Sequence, residues 1–284
     1  MTVNELYRSF LKALPQTHSS HEASNITSSI FEYFAGIDRS ALIKDPNRVL
    51  DEKTIGLINE SLAALKKNKP VQYITGEAWF YKMKLKVSPA VLIPRPETEE
   101  LAEAVIHHIK NKQAIKIIDI GTGSGCIAIA IKKNATASTI TAIDISDDAL
   151  LIAKENASTQ NTSIHFLQTD FLSEKNWGLL EKYDVIVSNP PYIPEKEMGK
   201  MDKNVTAYEP HTALFVENNR PLIFYEKIAA FGKQHLTDNG MIFLETHEDL
   251  AEETCKLFND AFYKAIIKND LFGKQRMVIA TKVF

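Results

Sequence analysis

Apolar residues recur at helical spacing in three stretches of the first 75 residues: Leu6, Phe10, Leu11 and Leu14; Ile26, Ile30, Phe31 and Phe34; Ile55, Ile58, Leu62 and Leu65. Pro15, Gly36, Pro46 and Pro70 punctuate them. The pattern predicts a bundle of four or five short helices over residues 1–75. From about residue 71 to 93 the texture turns to β. Val71-Gln-Tyr-Ile74 precedes Gly76, then come Trp79-Phe-Tyr81 and Met83-Lys-Leu-Lys-Val87, the last alternating with a period of two. A β-hairpin linker over 76–96 is expected. The prolines of Leu92-Ile-Pro-Arg-Pro96 set an extended turn, and Glu97 or Thr98 is placed to open a helix to about Lys112.

Beyond residue 114 strands and helices alternate. Strands are predicted at Ile115–Ile120, Thr139–Ile143, Ile164–Gln168, Tyr183–Ser188, Met241–Glu245, Ala265–Lys268 and Met277–Thr281. Helices are predicted at Cys126–Ile131, from a Ser146 cap to about Ala157, at Pro221–Leu236 and at Glu248–Phe258. This alternation predicts an α/β fold, Rossmann-like, with a twisted, mostly parallel sheet covered by helices on both faces, over residues 97–284. The polar stretch from Ile193 to about Leu214 is long for a strand-to-helix loop, and such loops at strand carboxyl ends tend to be functional.

The balance of 44% hydrophobic and 24% charged residues in 284 is that of a soluble globular chain with room for a large and a small domain. The net charge of −3 argues against a dedicated nucleic-acid binder, and splitting the chain uncovers no basic half. Residues 1–75 carry nine Lys/Arg against eight Asp/Glu, the remainder 24 against 28. Cys126 and Cys255 form neither a disulfide framework nor a metal-ligand spacing, and the eight histidines form no metal array, so no metal site is expected. With no apolar stretch of membrane-spanning length and no signal-peptide core, a reducing cytoplasm is the expected compartment.

Four strand ends carry candidate chemistry. Asp119-Ile-Gly-Thr-Gly-Ser-Gly125 leaves the first strand and opens a helix, so Gly121, Thr122, Gly123, Ser124 and Gly125 offer a close backbone approach and free N–H groups. A dinucleotide fingerprint needs Gly or Ala three residues after Gly123, and Cys126 stands there. The loop suits S-adenosylmethionine, which has no pyrophosphate. Asp144, 19 residues past Gly125, ends the second strand where a carboxylate accepts both ribose hydroxyls. Asp170 and Phe171 end the third, one to accept from an adenine amine, the other to pack on the base. Asn189-Pro-Pro-Tyr192 ends the fourth.

By itself that tetrapeptide reads equally as a strand-to-loop turn, since the prolines forbid a continuing strand. Behind an S-adenosylmethionine site it has a further use. Transfer needs a nucleophilic nitrogen in line, about 3–3.5 Å from the methyl. The Asn189 side-chain oxygen and the Pro190 carbonyl are placed to accept from a substrate NH₂, with Pro191 stiffening the turn and Tyr192 stacking on its plane. The chemistry specifies a planar NH₂ and leaves adenine N6, guanine N2 and a glutamine amide open.

Longer segments extend the pattern. Gly76-Glu-Ala-Trp-Phe80, Val91-Leu-Ile-Pro-Arg-Pro-Glu-Thr-Glu99, the glycine loop, Val187-Ser-Asn-Pro-Pro-Tyr-Ile193, Tyr208-Glu-Pro210 and Asp270-Leu-Phe-Gly-Lys-Gln-Arg-Met277 together resemble the peptide chain release factor glutamine methyltransferases, the HemK/PrmC group. The resemblance covers nearly the whole chain. It implies a helical N-terminal domain that recognises substrate, a hairpin linker and a seven-stranded S-adenosylmethionine-dependent methyltransferase domain. It implies methylation of the glutamine of the Gly-Gly-Gln motif in class I release factors, with S-adenosylhomocysteine as product. By position it carries over Gly121 to Gly125, Asp144, Phe171 and Asn189 as cofactor contacts and Asn189 to Tyr192 as substrate contacts.

Two departures stand out. Many members carry a Gly and a Gln where this chain reads Glu245-Thr-His-Glu-Asp249, and Asp-Gly where it reads Asn218-Asn219. Both are expected to lie away from the chemistry and to alter packing only. Arg95 and Glu97 read equally as a rigid turn and as the wall of the substrate entrance. The rival activity is an adenine or guanine amino methyltransferase acting on DNA or RNA, which the near-neutral charge disfavours; a catalytically silent scaffold is disfavoured by the intact loop, Asp144 and Asn-Pro-Pro-Tyr. A monomer without direct nucleic-acid or membrane contact is expected.

Overall fold

The computed structural model describes residues 1–14 and 19–283; Pro15, among the punctuating residues above, lies outside them. The chain divides into two compact units, Met1–Glu77 with Asp202–Tyr208, and Ala78–Met201 with Glu209–Phe284.

The first unit is helical: α1 (Val3–Ala13), α2 (Ser20–Ala35), α3 (Arg39–Lys44), α4 (Glu52–Leu65) and α5 (Val71–Thr75). Local chemistry sets the ends. Thr2 and Glu5 form a reciprocal capping box, while Ser19, Asp38 and Asp51 accept from N–H groups of the next three helices. Gly36 closes α2 at φ +64, a conformation that costs a Cβ-bearing residue energy. Phe10, Ile30, Phe31, Ile58 and Leu65 form the core, on the positions whose spacing predicted it. Residues 71–74 depart from expectation. They form a helical turn, because Pro70 presents its carbonyl to the Tyr73 and Ile74 amides and Gly76 ends the turn at φ +73. Val71 and Ile74, three apart, then both pack on the bundle.

The second unit begins with a hairpin, β1 (Glu77–Phe80) and β2 (Met83–Lys86). It is no free connector: Phe80, Met83 and Leu85 are buried in the same apolar core as Leu101, Val105, Ile127 and Ile131. Helix α6 (Pro96–Ile109) starts one residue earlier than predicted, with Arg95 at the N-cap and Pro96 in the first turn, where its missing N–H costs nothing. Thr98 therefore sits inside the first turn with its hydroxyl free for other work.

Then follow β3 (Lys116–Ile120), α7 (Cys126–Asn134), β4 (Thr139–Asp144), α8 (Asp147–Thr159), β5 (His165–Gln168) and β6 (Tyr183–Ser188). The long loop opens with β7 (Ile193–Pro194). It passes through α9 (Lys203–Thr206), which belongs to the helical unit, where the Tyr208 hydroxyl donates to the Lys67 carbonyl at 2.8 Å. It returns through α10 (His211–Leu214) to β8 (Phe215–Val216), which pairs with β7. The chain ends with α11 (Ile223–His235), β9 (Leu236–Glu245), α12 (Ala251–Asp260), β10 (Tyr263–Asn269) and β11 (Gln275–Lys282).

The main sheet has seven strands in the order β10-β11-β9-β6-β3-β4-β5, all parallel except β11. The expected mostly parallel α/β sheet is present. Ile117 faces one apolar core, Ile118 and Ile120 the other, so both sheet faces are covered.

Candidate active site

The sheet order makes the site. After β3 the chain runs outward through β4 and β5, then returns to place β6 on the other side of β3. Ligands bind at such a reversal, outside the carboxyl ends of the strands. Ile120 is in register with Ile143 on β4 and with Ser188 on β6, so the glycine loop emerges between Asp144 and Asn189, adjacent strands lying about 4.8 Å apart. The Ser188 hydroxyl donates to the Ile120 carbonyl at 2.7 Å, and the Gly121 and Thr122 amides donate to the Ile143 carbonyl at 2.9 and 3.0 Å. A cavity of about 590 Å³ opens there. Gly121 to Ser124, Asp144, Asp170, Phe171, Asn189, Pro190 and Pro191 line it, with Leu92, Pro94, Arg95, Thr98, Pro210 and Ala213.

Gly121 and Gly123 have φ +73 and +54 with open space where a Cβ would stand, as a cradle for a close ligand requires. Gly125 does not line the cavity. Its φ is +80, and a Cβ would press on Ile129 and Ala153 at 3.1 and 3.2 Å, so its job is the close packing of α7 on α8. Asp144 accepts from the Gly123 amide at 2.8 Å and from the Ser146 amide at 3.0 Å. Burial raises its carboxyl above the usual range, and these backbone bonds oppose the rise. Lone pairs remain for a ligand's hydroxyls, since each carboxylate oxygen accepts twice. Asp170 borders the cavity with one oxygen on the Leu172 amide, while Phe171 is largely core, stacked on Trp177 at 5.6 Å and edge-on to Phe231. This donor set, a glycine cradle beside a carboxylate and an aromatic wall, fits a nucleoside bearing a small charged group.

Asn189 lines the cavity and donates from Nδ2 to Thr98 Oγ1 at 3.1 Å; Thr98 in turn donates to Glu245 Oε2 at 2.7 Å. The segment beginning at Glu245 was expected to lie away from the chemistry. Its first residue instead stands behind Asn189, because β9 neighbours β6 and Leu244 pairs with Ser188. Asn218, in the other departing pair, accepts from the Lys196 amide at 2.7 Å and so ties down the start of the long loop. Pro190 and Pro191 line the cavity, but Tyr192 does not. Its ring packs toward the core that holds Leu244, 6.1 Å from His247, and burial pushes its hydroxyl well up.

Three features escaped sequence reasoning. Arg95 pairs with buried Glu209, whose other oxygen accepts from the Ile93 amide at 3.2 Å. Arg95 is therefore both cavity wall and rigid turn, while Glu97 is not in the wall. Glu209 sits in the quoted Tyr208-Glu-Pro210 motif without a role assigned from sequence. Buried Asn156 accepts from the Lys86 amide at 2.6 Å and donates to the Lys86 and Ser124 carbonyls, both at 2.9 Å, bolting the hairpin to the glycine loop. Asp119, fully buried beneath the loop, accepts from Thr122 Oγ1 at 2.6 Å, and burial pushes its carboxyl up to about 7. Buried Cys126 has its thiol pushed up to about 12, which leaves it unreactive. Among the described residues no group of His, Cys, Asp and Glu is arranged to hold a metal ion, and no helix is long and apolar enough to cross a membrane.

The sheet order, the glycine loop and the strand-end acids define a methyltransferase of the Rossmann-like class. The comparisons agree: residues 96–207 match the methyltransferase small domain family and residues 5–76 the PrmC N-terminal domain family. The T. Thermophilus 16S rRNA N2 G1207 methyltransferase shares the fold, with a TM-score of 0.53 and 16% identity over 73% of this chain and 50% of that one. Closer likeness is to the release factor glutamine methyltransferase of Flavobacterium psychrophilum, 38% identical over 98% of both chains. That of Lactococcus lactis subsp. lactis is 42% identical over 81% of this chain and 83% of its own. The chain belongs to the release factor glutamine methyltransferase family.

Proposed function

We propose that this protein moves a methyl group from S-adenosylmethionine to the side-chain amide nitrogen of the glutamine in the Gly-Gly-Gln motif of class I peptide chain release factors, acting as a cytoplasmic monomer. The observation that carries this is the meeting of the glycine cradle, Asp144 and the Asn189 amide on one cavity. When bound, S-adenosylmethionine supplies a methyl group on a sulfonium, an electrophile that needs no further activation. Gly121 to Ser124 would hold its amino-acid end by backbone amides, Asp144 would take the ribose hydroxyls, and Asp170 and Phe171 would border the base.

An amide nitrogen is a poor nucleophile because its lone pair is delocalised. Asn189 Oδ1 and the Pro190 carbonyl accept its two N–H groups, orient it, and stabilise the positive charge that develops as it is methylated. The methylated nitrogen then sheds a proton readily, so no strong base is required. Pro190 and Pro191 supply the apolar wall in the cavity, and Tyr192 supports them from the core side.

Labelled S-adenosylmethionine tests the reading. A class I release factor is expected to take up label and its Gly-Gly-Gln Gln→Ala variant to take up none. Label entering DNA or RNA alone would overturn it in favour of a base amino methyltransferase.

A further inference from the structure

Asn189 accepts a substrate N–H only if its oxygen, and not its NH₂, faces the cavity. The two ends of a carboxamide are nearly isosteric, so cavity shape does not choose between them. The choice is made from behind. Asn189 Nδ2 lies 3.1 Å from Thr98 Oγ1, which lies 2.7 Å from Glu245 Oε2, and Thr98 and Glu245 are both buried. A hydroxyl has one hydrogen and a carboxylate only accepts. Ionised Glu245 therefore takes the Thr98 hydrogen, and Thr98 can only accept from Asn189. What it accepts is the NH₂, which leaves Oδ1 for the cavity.

We propose that Glu245 and Thr98 are positioning residues, a buried relay that sets the Asn189 amide with its oxygen toward the methyl-accepting nitrogen; this rests on the reading of Asn189 as a substrate acceptor.

The surroundings of Glu245 make the relay sensitive to pH. Burial is the largest influence and pushes its carboxyl up to about 7. Glu97 on α6 adds to the rise; Thr98 on α6, Arg276 on β11 and the Tyr192 hydroxyl oppose it. From α11 the Tyr225 hydroxyl donates to the Glu245 backbone carbonyl at 3.0 Å, and the buried Cys126 thiol on α7 is also within reach of its charge. Above neutrality Glu245 is the acceptor the relay needs. Below it, the protonated carboxyl carries a donor as well as an acceptor, so Thr98 can accept from it and donate to Asn189 instead, and the amide is no longer held in one orientation. Turnover at saturating substrates therefore falls as pH falls through about 7. Asp119 also titrates near 7, so the wild-type profile alone does not identify the group.

Variants and spectroscopy separate the two. Glu245→Gln cannot titrate, so its kcat profile is expected to be flat where the wild type rises. Thr98→Val is expected to lower kcat about tenfold or more, the worth of one hydrogen bond to a charged group, with cofactor affinity by calorimetry unchanged and Thr98→Ser restoring activity. The Asn189 side-chain NH₂ resonance, identified by its loss in Asn189→Ala, is expected to titrate in the wild type and to stay still in Glu245→Gln. A Glu245→Gln profile that keeps the wild-type limb, a Thr98→Val kcat within twofold of wild type, or a wild-type Asn189 resonance that ignores pH would each overturn the relay. A titrating resonance in a protein that leaves release factors unlabelled would keep the relay and remove the proposed substrate.

Discussion

Asn189 and Asp144 stand on either side of the glycine loop and are proposed to divide the work of the site. Asp144 is spent partly on structure, since it accepts from the Gly123 and Ser146 amides as well as facing the cavity. Its replacement by Ala is expected to weaken cofactor binding about 10- to 100-fold, the loss of charge-assisted hydrogen bonds. Asn189→Ala is expected to do the reverse, lowering kcat about 100-fold as removal of a transition-state partner does, while cofactor affinity by calorimetry stays near wild type. A large affinity loss in Asn189→Ala would show that it chiefly holds the cofactor. Both residues were legible in the sequence because each is a polar residue closing an apolar run. Glu245 closes one too, but nothing in its own neighbourhood points at Asn189. That pairing exists only because β9 lies beside β6.

At the scale of elements, the hairpin shows how a connector becomes part of the machinery. Its inward side chains Phe80, Met83 and Leu85 are legible from the two-residue period, and they bury in the main core. Its bond to the glycine loop is not, because Asn156 lies 70 residues beyond Lys86 on the face of α8. Asn156→Ala leaves the Lys86 amide and two carbonyls without their partner, and is expected to cost about 2 kcal/mol in urea unfolding. Cofactor affinity is expected to fall with it, since Ser124 loses its tether. The neighbouring Lys86–Glu155 ion pair has both side chains half exposed, so Glu155→Ala is expected to change stability by less than about 0.5 kcal/mol. The turn at 71–75 makes the opposite point: five residues of β-rich composition fold as helix once Pro70 and Gly76 fix the ends and the bundle takes Val71 and Ile74.

For the whole molecule, the helical unit is proposed to grip the release factor away from the chemistry. It exposes apolar Ile43 and Val49, 80% and 69% accessible, as candidate contacts for that partner. Replacing both with Asp is expected to raise KM for an intact release factor about threefold or more, as loss of apolar contacts at an interface does, and to leave KM for a short Gly-Gly-Gln peptide unchanged. Equal effects on both substrates would count against that role. The sequence by itself determined most of the elements, the glycine loop and the strand-end residues, because periodicity, proline and glycine act over a few residues. It also carried the family, through segments longer than any one element. Only the tertiary structure decided what stands behind each site residue: Glu245 and Thr98 behind Asn189, Glu209 behind Arg95, Asn156 behind the loop, and Tyr192 turned to the core. Each of these is a polar or aromatic group, buried or, for Tyr192, half-buried, whose partner comes from another part of the chain. Burial makes such a partner obligatory, while strand order and helix packing choose which residue it is.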